Sequence, residues 1–254
     1  MRDADTGEQP AQRAVLPLDR QNAYRARLRK MRPGWQPSGD QLDVLLQSRL
    51  RRDSRVLDLG CGRGGAVELV WRDVGLAVGV DPDTSSLAGH RAAGMPVIRG
   101  VGERLPFIDG SFDVIVCVWV MEHLADPAAT LGEVRRVLRP GAHFLFLTPN
   151  LRHPLMLANR LGKALPRLQR RLVPRLYGRL EGDTFPVQYR ANTPKAINRL
   201  AADAGLRVVE LRFIPDPTYL AWGEIMFRAA VLADGLLPAS RGIHLLGDLV
   251  PVEK

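Results

Sequence analysis

The run VLDLGCGRGG, Val56 to Gly65, constrains the fold of this chain more than any other stretch. A short apolar segment ended by Gly60, Gly62 and Gly65 reads as a buried strand that turns sharply, since glycine alone bends the backbone this tightly without steric cost. The spacing is G-x-G-x-x-G, the pattern by which a strand delivers a ligand to the backbone N–H groups that open the next helix. Asp58, two residues before the first glycine, adds a carboxylate to that turn.

Beyond the turn, strands and helices alternate. AVELVWRDV reads as a helix and LAVGV as a second strand. TSSLAGHRAAG is expected to be a helix capped by Thr84 and stopped at Gly94, with PVIRG as a third strand. FDVIVCVWV is a fourth strand, apolar enough to be covered on both faces. Asp126-Pro127 opens a helix to Leu138, and HFLFLT is a fifth strand. Thr193-Pro194 caps a helix ending at Gly205, LRVVELRF is a strand, Tyr219 to Leu236 a helix, and Ile243 to Val252 a last strand. Upstream, Asp19 to Met31 and Gln41 to Leu50 have helical character. Alternation of this kind predicts an α/β fold with a doubly wound sheet and helices on both faces. Residues 1–18 read as a flexible tail and 19–254 as one domain, with 19–52 a helical cover.

Asp58 decides between ligands. A dinucleotide would bring its pyrophosphate to the glycine turn, close to that carboxylate. At an effective dielectric near 20, two unit charges about 6 Å apart repel by roughly 3 kcal/mol. A cationic nucleoside reverses the sign, and S-adenosylmethionine carries a sulfonium, an ammonium and no phosphate. Asp81, in VGVDPD and 21 positions after Gly60, sits where a carboxylate can accept both ribose hydroxyls.

With these residues in view, VLDLGCGRGG, VGVDPD, GERLPFIDGSFDVIVCVWVMEHLADP and EVRRVLRPGAHFLFLTPN resemble the successive motifs of class I S-adenosylmethionine-dependent methyltransferases. The small-molecule branch containing the quinone-biosynthesis enzymes is the most similar. The resemblance covers residues 55–150 closely. It implies a Rossmann-like sheet of seven strands in the order 3-2-1-4-5-7-6, strand 7 antiparallel and supplied by IHLLGDLVPV. It also implies that the backbone around Gly60, Cys61 and Gly62 meets the methionine part of the cofactor, and that Asp58 anchors its amino group. Asp81 would hold the ribose, Pro82 would lie against the adenine, and Cys117 and Val118 would offer a carbonyl to the ammonium. The family's usual adenine-binding acid is replaced by Val101, so Gly102 backbone or the Glu103 carboxylate is expected to substitute.

His123, in VMEHL, is the candidate base, needed only where the acceptor must lose a proton; a structural or shaping role is the alternative. Trp35, Tyr189, Arg190, Asn192 and Tyr219 are candidate acceptor-binding residues, being polar or aromatic groups in loops around the crevice. Trp35 can equally serve as packing.

The net charge of +9 is concentrated. From Leu151 to Leu180 the chain has no acid but carries Arg152, Arg160, Lys163, Arg167, Arg170, Arg171, Arg175 and Arg179, interleaved with leucines at helical spacing and broken by Pro166 and Pro174. Residues 151–190 therefore read as a basic amphipathic insertion or lid. Contact of 151–180 with an anionic membrane, and a nucleic-acid surface, are the other readings. An RNA methyltransferase is the competing function, disfavoured by VWVMEHL where base-amino enzymes carry an Asn/Asp-Pro-Pro-aromatic signature. A non-catalytic membrane-associated scaffold is another, disfavoured by the intact acids and glycines. Cys61 and Cys117 read as small buried residues of a reduced compartment, and no metal is expected. With no secretory signal or long apolar run in view, a cytoplasmic protein, peripheral at the membrane's inner face in one reading, is expected.

Overall fold

The computed structural model describes residues 17–162 and 186–253. Residues 1–16 of the expected tail and 163–185 of the expected insertion, with their leucines, prolines and most of their arginines, lie outside the described residues.

Seven strands form one sheet: β1 (Arg55–Leu59), β2 (Leu76–Asp81), β3 (Val97–Arg99), β4 (Phe112–Val118), β5 (Leu138–Pro149), β6 (Leu206–Ile214) and β7 (His244–Pro251). Their order is β3-β2-β1-β4-β5-β7-β6, and β7 runs antiparallel to both β5 and β6. The expected order and the antiparallel last strand are both present. The helices are α1 (Leu18–Met31), α2 (Ser38–Arg49), α3 (Thr84–Ala88), α4 (Pro127–Val137), α5 (Pro154–Gly162), α6 (Pro194–Asp203) and α7 (Glu224–Leu236).

Strand alternation sends successive side chains to opposite faces. On one face Leu57, Leu59, Ile115, Phe144 and Phe146 join Leu131 and Val134 of α4 in a buried cluster. On the other, Val56, Val114, Val116, Leu145 and Leu147 meet Leu42, Leu45 and Leu46 of α2. Asp58 shares the parity of Val56, so burial on that second face follows from the strand itself.

Asp248 of β7 is fully buried and answered twice, by Arg49 of α2 at 2.9 Å and by His143 Nδ1 of β5 at 2.9 Å. A lone carboxylate there would carry a desolvation cost that these partners offset.

The described residues group into two compact units. The larger (35–157, 186–216 and 237–253) carries the sheet. In the smaller, α1 and α7 pack through Tyr24 and Phe227, ring centroids 4.8 Å apart, over the buried Leu28. Arg27 and Arg228 hold the Glu224 carboxyl down to about 2.

Several local expectations differ from the structure. AVELVWRDV is a single 3-10 turn, Val67–Leu69, followed by a turn and then bends. Val67, Val70 and Trp71 are poor helix formers, and Gly75 is pressed against the Asp53 backbone, where an added Cβ would lie 2.8 Å from the carbonyl oxygen. The cap of α3 is Asp83, not Thr84: its carboxylate accepts from the Ser85 and Ser86 backbone N–H groups and both hydroxyls, which hold its pKa down to about 2. That helix stops at Gly89, before Gly94. The segment from Tyr219 begins as a 3-10 turn, Pro217–Leu220, and becomes helical only at Glu224.

Candidate cofactor site

The turn after β1 is tied to β2 by its own backbone: the N–H groups of Gly60 and Cys61 both reach the Val80 carbonyl, at 2.7 and 3.2 Å. Gly60 has φ +78° and Gly62 φ +50°, left-handed conformations that disfavour a side chain. Space imposes a second limit at Gly60, where a Cβ would lie 2.2 Å from Cγ2 of Val120. Gly79 of β2 makes room in the same way for Cys61, whose Sγ would be 2.6 Å from a Cβ at that position. Cys61 is therefore packed inward, and burial beside Asp58 and Asp81 pushes its thiol up to about 12. Burial raises Cys117 as well. Both cysteines are inert packing groups.

Asp81 closes the turn. Its Oδ2 accepts from Gly62 N–H at 2.9 Å and its Oδ1 from Asp83 N–H at 2.8 Å. A carboxylate offers about four lone-pair positions, so two such bonds leave acceptor capacity for a diol. Asp58 differs. It is buried, its Oδ2 has no hydrogen-bond partner, and burial, reinforced by Asp81 and Glu68, pushes its pKa up to about 7. A buried acid with an unanswered oxygen beside a second acid is a site that a cation would relieve. The residues fit S-adenosylmethionine on that ground.

Toward the expected adenine side, residues 101–111 are pinned by α4. Arg136 bonds Glu133, Asp109 and the carbonyls of Phe107 and Leu105, while Glu133 accepts from Leu105 N–H at 2.7 Å. Gly102 lies against Thr130, where a Cβ would meet Cγ2 at 2.9 Å. Glu103 is half-buried in the turn closed by Arg104 N–H on the Val101 carbonyl. Val101 is 46% exposed.

β4 stops at Val118 because Trp119 adopts φ +58°. The turn beyond it carries Glu122 and His123. His123 is half-buried, with Nδ1 3.2 Å from the Pro186 carbonyl. Since a carbonyl only accepts, that bond requires the proton on Nδ1 and leaves the lone pair on Nε2. Glu122 was not singled out from the sequence. Its side chain is buried, accepting from Thr148 Oγ1 at 2.9 Å, and its carbonyl receives the N–H groups of Gln188 and Tyr189. Thr148 in turn accepts from Asn192 Nδ2 at 2.7 Å.

The candidate acceptor residues divide. Tyr189 and Arg190 lie on this turn, Arg190 donating to the Ala125 carbonyl at 2.8 Å. Asn192 is fully buried, although its Oδ1 has no hydrogen-bond partner. Trp35 donates from Nε1 to the Pro215 carbonyl at 2.7 Å, a packing contact. Tyr219 belongs to the smaller unit. Among the described residues no group of three or more His, Cys, Asp or Glu could hold a metal, and no helix is long and apolar enough to cross a membrane.

Sheet order, glycine turn and paired acids are together those expected of the class I S-adenosylmethionine-dependent methyltransferases. Residues 57–146 match the family described as a methyltransferase domain. Over 97 residues the chain is 40% identical to a probable S-adenosylmethionine-dependent methyltransferase of Mycolicibacterium smegmatis, covering 37% of this chain and 38% of that one. It is 33% identical over 117 residues to a ubiquinone biosynthesis O-methyltransferase of Hahella chejuensis, covering 43% and 49%. The matched stretches thus span less than half of these curated relatives. Among solved structures, the geranyl diphosphate C-methyltransferase of Streptomyces coelicolor superposes with a TM-score of 0.58 at 16% identity, covering 92% of this chain and 84% of that one. At that identity the likeness concerns the fold.

Proposed function

We propose that this chain transfers the methyl group of S-adenosylmethionine to oxygen or carbon of a small-molecule acceptor of quinone-like, lipid-linked or glycosyl type. The observation that carries the reading is the buried, unanswered Asp58 oxygen at a glycine turn, with the acid raised to about 7. It matches a ligand with a cationic amino group and rejects a phosphorylated one. A relative named for ubiquinone biosynthesis supports a small acceptor.

When bound, the cofactor supplies a methyl group on a positively charged sulfur, which departs as a neutral thioether. The residues then have four tasks. Asp58 holds the amino group, assisted by the backbone at Cys117 and Val118, and the turn at Gly60, Cys61 and Gly62 encloses the methionine part. Asp81 accepts the ribose hydroxyls, with Pro82, Gly102 and Glu103 bordering the adenine. Alignment of acceptor, methyl and sulfur can supply on the order of 7 kcal/mol or more. For a hydroxyl acceptor, His123 takes the proton on Nε2 while the Pro186 carbonyl keeps Nδ1 protonated. The buried Glu122–Thr148–Asn192 chain fixes residues 186–192, which carry Tyr189 and Arg190, against that turn.

Calorimetry with S-adenosylhomocysteine tests the cofactor reading. Binding is expected, and Asp81→Ala should weaken it by about tenfold or more, the loss of a charge-assisted diol contact. Unchanged affinity, or preference for a nicotinamide or flavin nucleotide, would overturn it.

A further inference from the structure

Among the described residues two non-glycine positions have left-handed backbone, Trp119 at φ +58° and Tyr189 at φ +54°. Both are aromatic, and both flank the turn that follows β4: Trp119 begins it, and Tyr189 N–H donates to the Glu122 carbonyl at its far end. Glycine or asparagine would occupy either position with less strain, so the fold alone does not call for a large ring there. The Trp119 backbone is held by its N–H on the Leu147 carbonyl of β5, 2.9 Å. Its indole is braced by His244 of β7, with ring centroids 4.9 Å apart and planes at 72°. His244 is buried, yet Trp119 remains 38% exposed. A bulky apolar ring is thus fixed from behind and open in front.

The sheet order says which ligand it faces. The expected ribose and adenine contacts belong to β2 and the loop after β3, on one side of β1; Trp119 touches β5 and β7, on the other. Val120, the next residue, packs over Gly60 of the cofactor turn. Through Val120 the Trp119 segment adjoins the glycine turn expected to hold the methionine end, where a methyl acceptor must approach, while its indole lies toward β7 and not toward β2.

We propose that Trp119 selects a planar, aromatic methyl acceptor by offering its indole as a stacking surface at the end of β4, with Tyr189 beside the same turn. This rests on the methyl-transfer reading above. Offset or edge-to-face contact between rings favours an aromatic acceptor over a saturated one of equal size.

The test uses the full chain saturated with S-adenosylhomocysteine and two probes, 2,3-dihydroxynaphthalene and its saturated counterpart decahydronaphthalene-2,3-diol. Calorimetry should show the aromatic diol binding roughly five- to tenfold more tightly. Trp119→Phe should keep that preference and Trp119→Leu should lose it, with S-adenosylhomocysteine affinity unchanged in both. Equal binding of the diols, binding of neither, or a preference retained in Trp119→Leu overturns the proposal. Should Trp119→Leu fail to fold, fluorine NMR of 5-fluorotryptophan-labelled protein decides: the resonance lost in Trp119→Phe must shift when the aromatic diol is added, and a static resonance overturns it. Failure of S-adenosylhomocysteine to bind the unaltered chain would instead remove the cofactor reading beneath it, so the two failures are distinct.

Discussion

Asp58 couples the cofactor site to pH. Its pKa is pushed from an ordinary carboxylate value up to about 7, first by burial and then by Asp81 and Glu68. Between about pH 4 and 7 the folded chain keeps a proton that the unfolded chain has released, so this group's contribution to stability falls across that window and stays low above it. Asp58→Asn should therefore stabilise the ligand-free protein at about pH 8, by on the order of 2 kcal/mol, and leave it nearly unchanged near pH 4. Thermal scans at the two values check the sign. The same substitution should weaken S-adenosylhomocysteine about tenfold or more, and binding to the unaltered chain near neutral pH should release a proton, seen as a dependence of the heat on buffer ionisation. His123 makes a separate prediction. With a hydroxyl acceptor, His123→Gln should lower kcat about a hundredfold and remove the acid limb of the pH profile, with cofactor affinity unchanged. A kcat that holds within about twofold would leave His123 only its shaping role.

At the scale of elements, glycines and caps position the site. Gly60→Ala would have to place a methyl group where Cγ2 of Val120 already lies, in a left-handed turn. It should cost about 2 kcal/mol or more in chemical denaturation and abolish S-adenosylhomocysteine binding, because the turn and the Val120 segment are displaced together. Retention of near-normal binding would show that the turn tolerates a side chain. The cap and proline of α4, Asp126 and Pro127, were legible in the sequence because each acts on its immediate neighbours. The expected helix after the glycine turn was not: its apolar residues recur at helical spacing, but they are poor helix formers, and the closely packed Gly75 leaves room for one 3-10 turn. The early end of β4 was equally hidden, since Trp119 looks like a strand residue until its left-handed backbone is known.

Across the whole molecule, charge is the feature with the longest reach. The positive excess in 151–180 motivates the proposal that this segment meets an anionic membrane surface. Sedimentation with vesicles containing about a third anionic lipid should pellet the protein at about 50 mM salt and release it near 500 mM, since such attraction is screened. Absence of pelleting at low salt removes the membrane contact. Binding to RNA at the same low salt would favour the competing nucleic-acid reading.

The sequence by itself determined the α/β alternation and the cofactor's charge, while the strand order was implied by the resemblance to the family. Strand alternation, the three glycines, and Asp58 and Asp81 at strand ends are local patterns, and local patterns follow from backbone sterics and short-range electrostatics. Only the tertiary structure decided that an Asp58 oxygen is left without a donor and that Glu122, Thr148 and Asn192 form one buried chain. It also decided that Trp119 stands braced by His244, 125 positions away in the chain. Those facts depend on which distant strands become neighbours, and spacing along the chain carries no record of that.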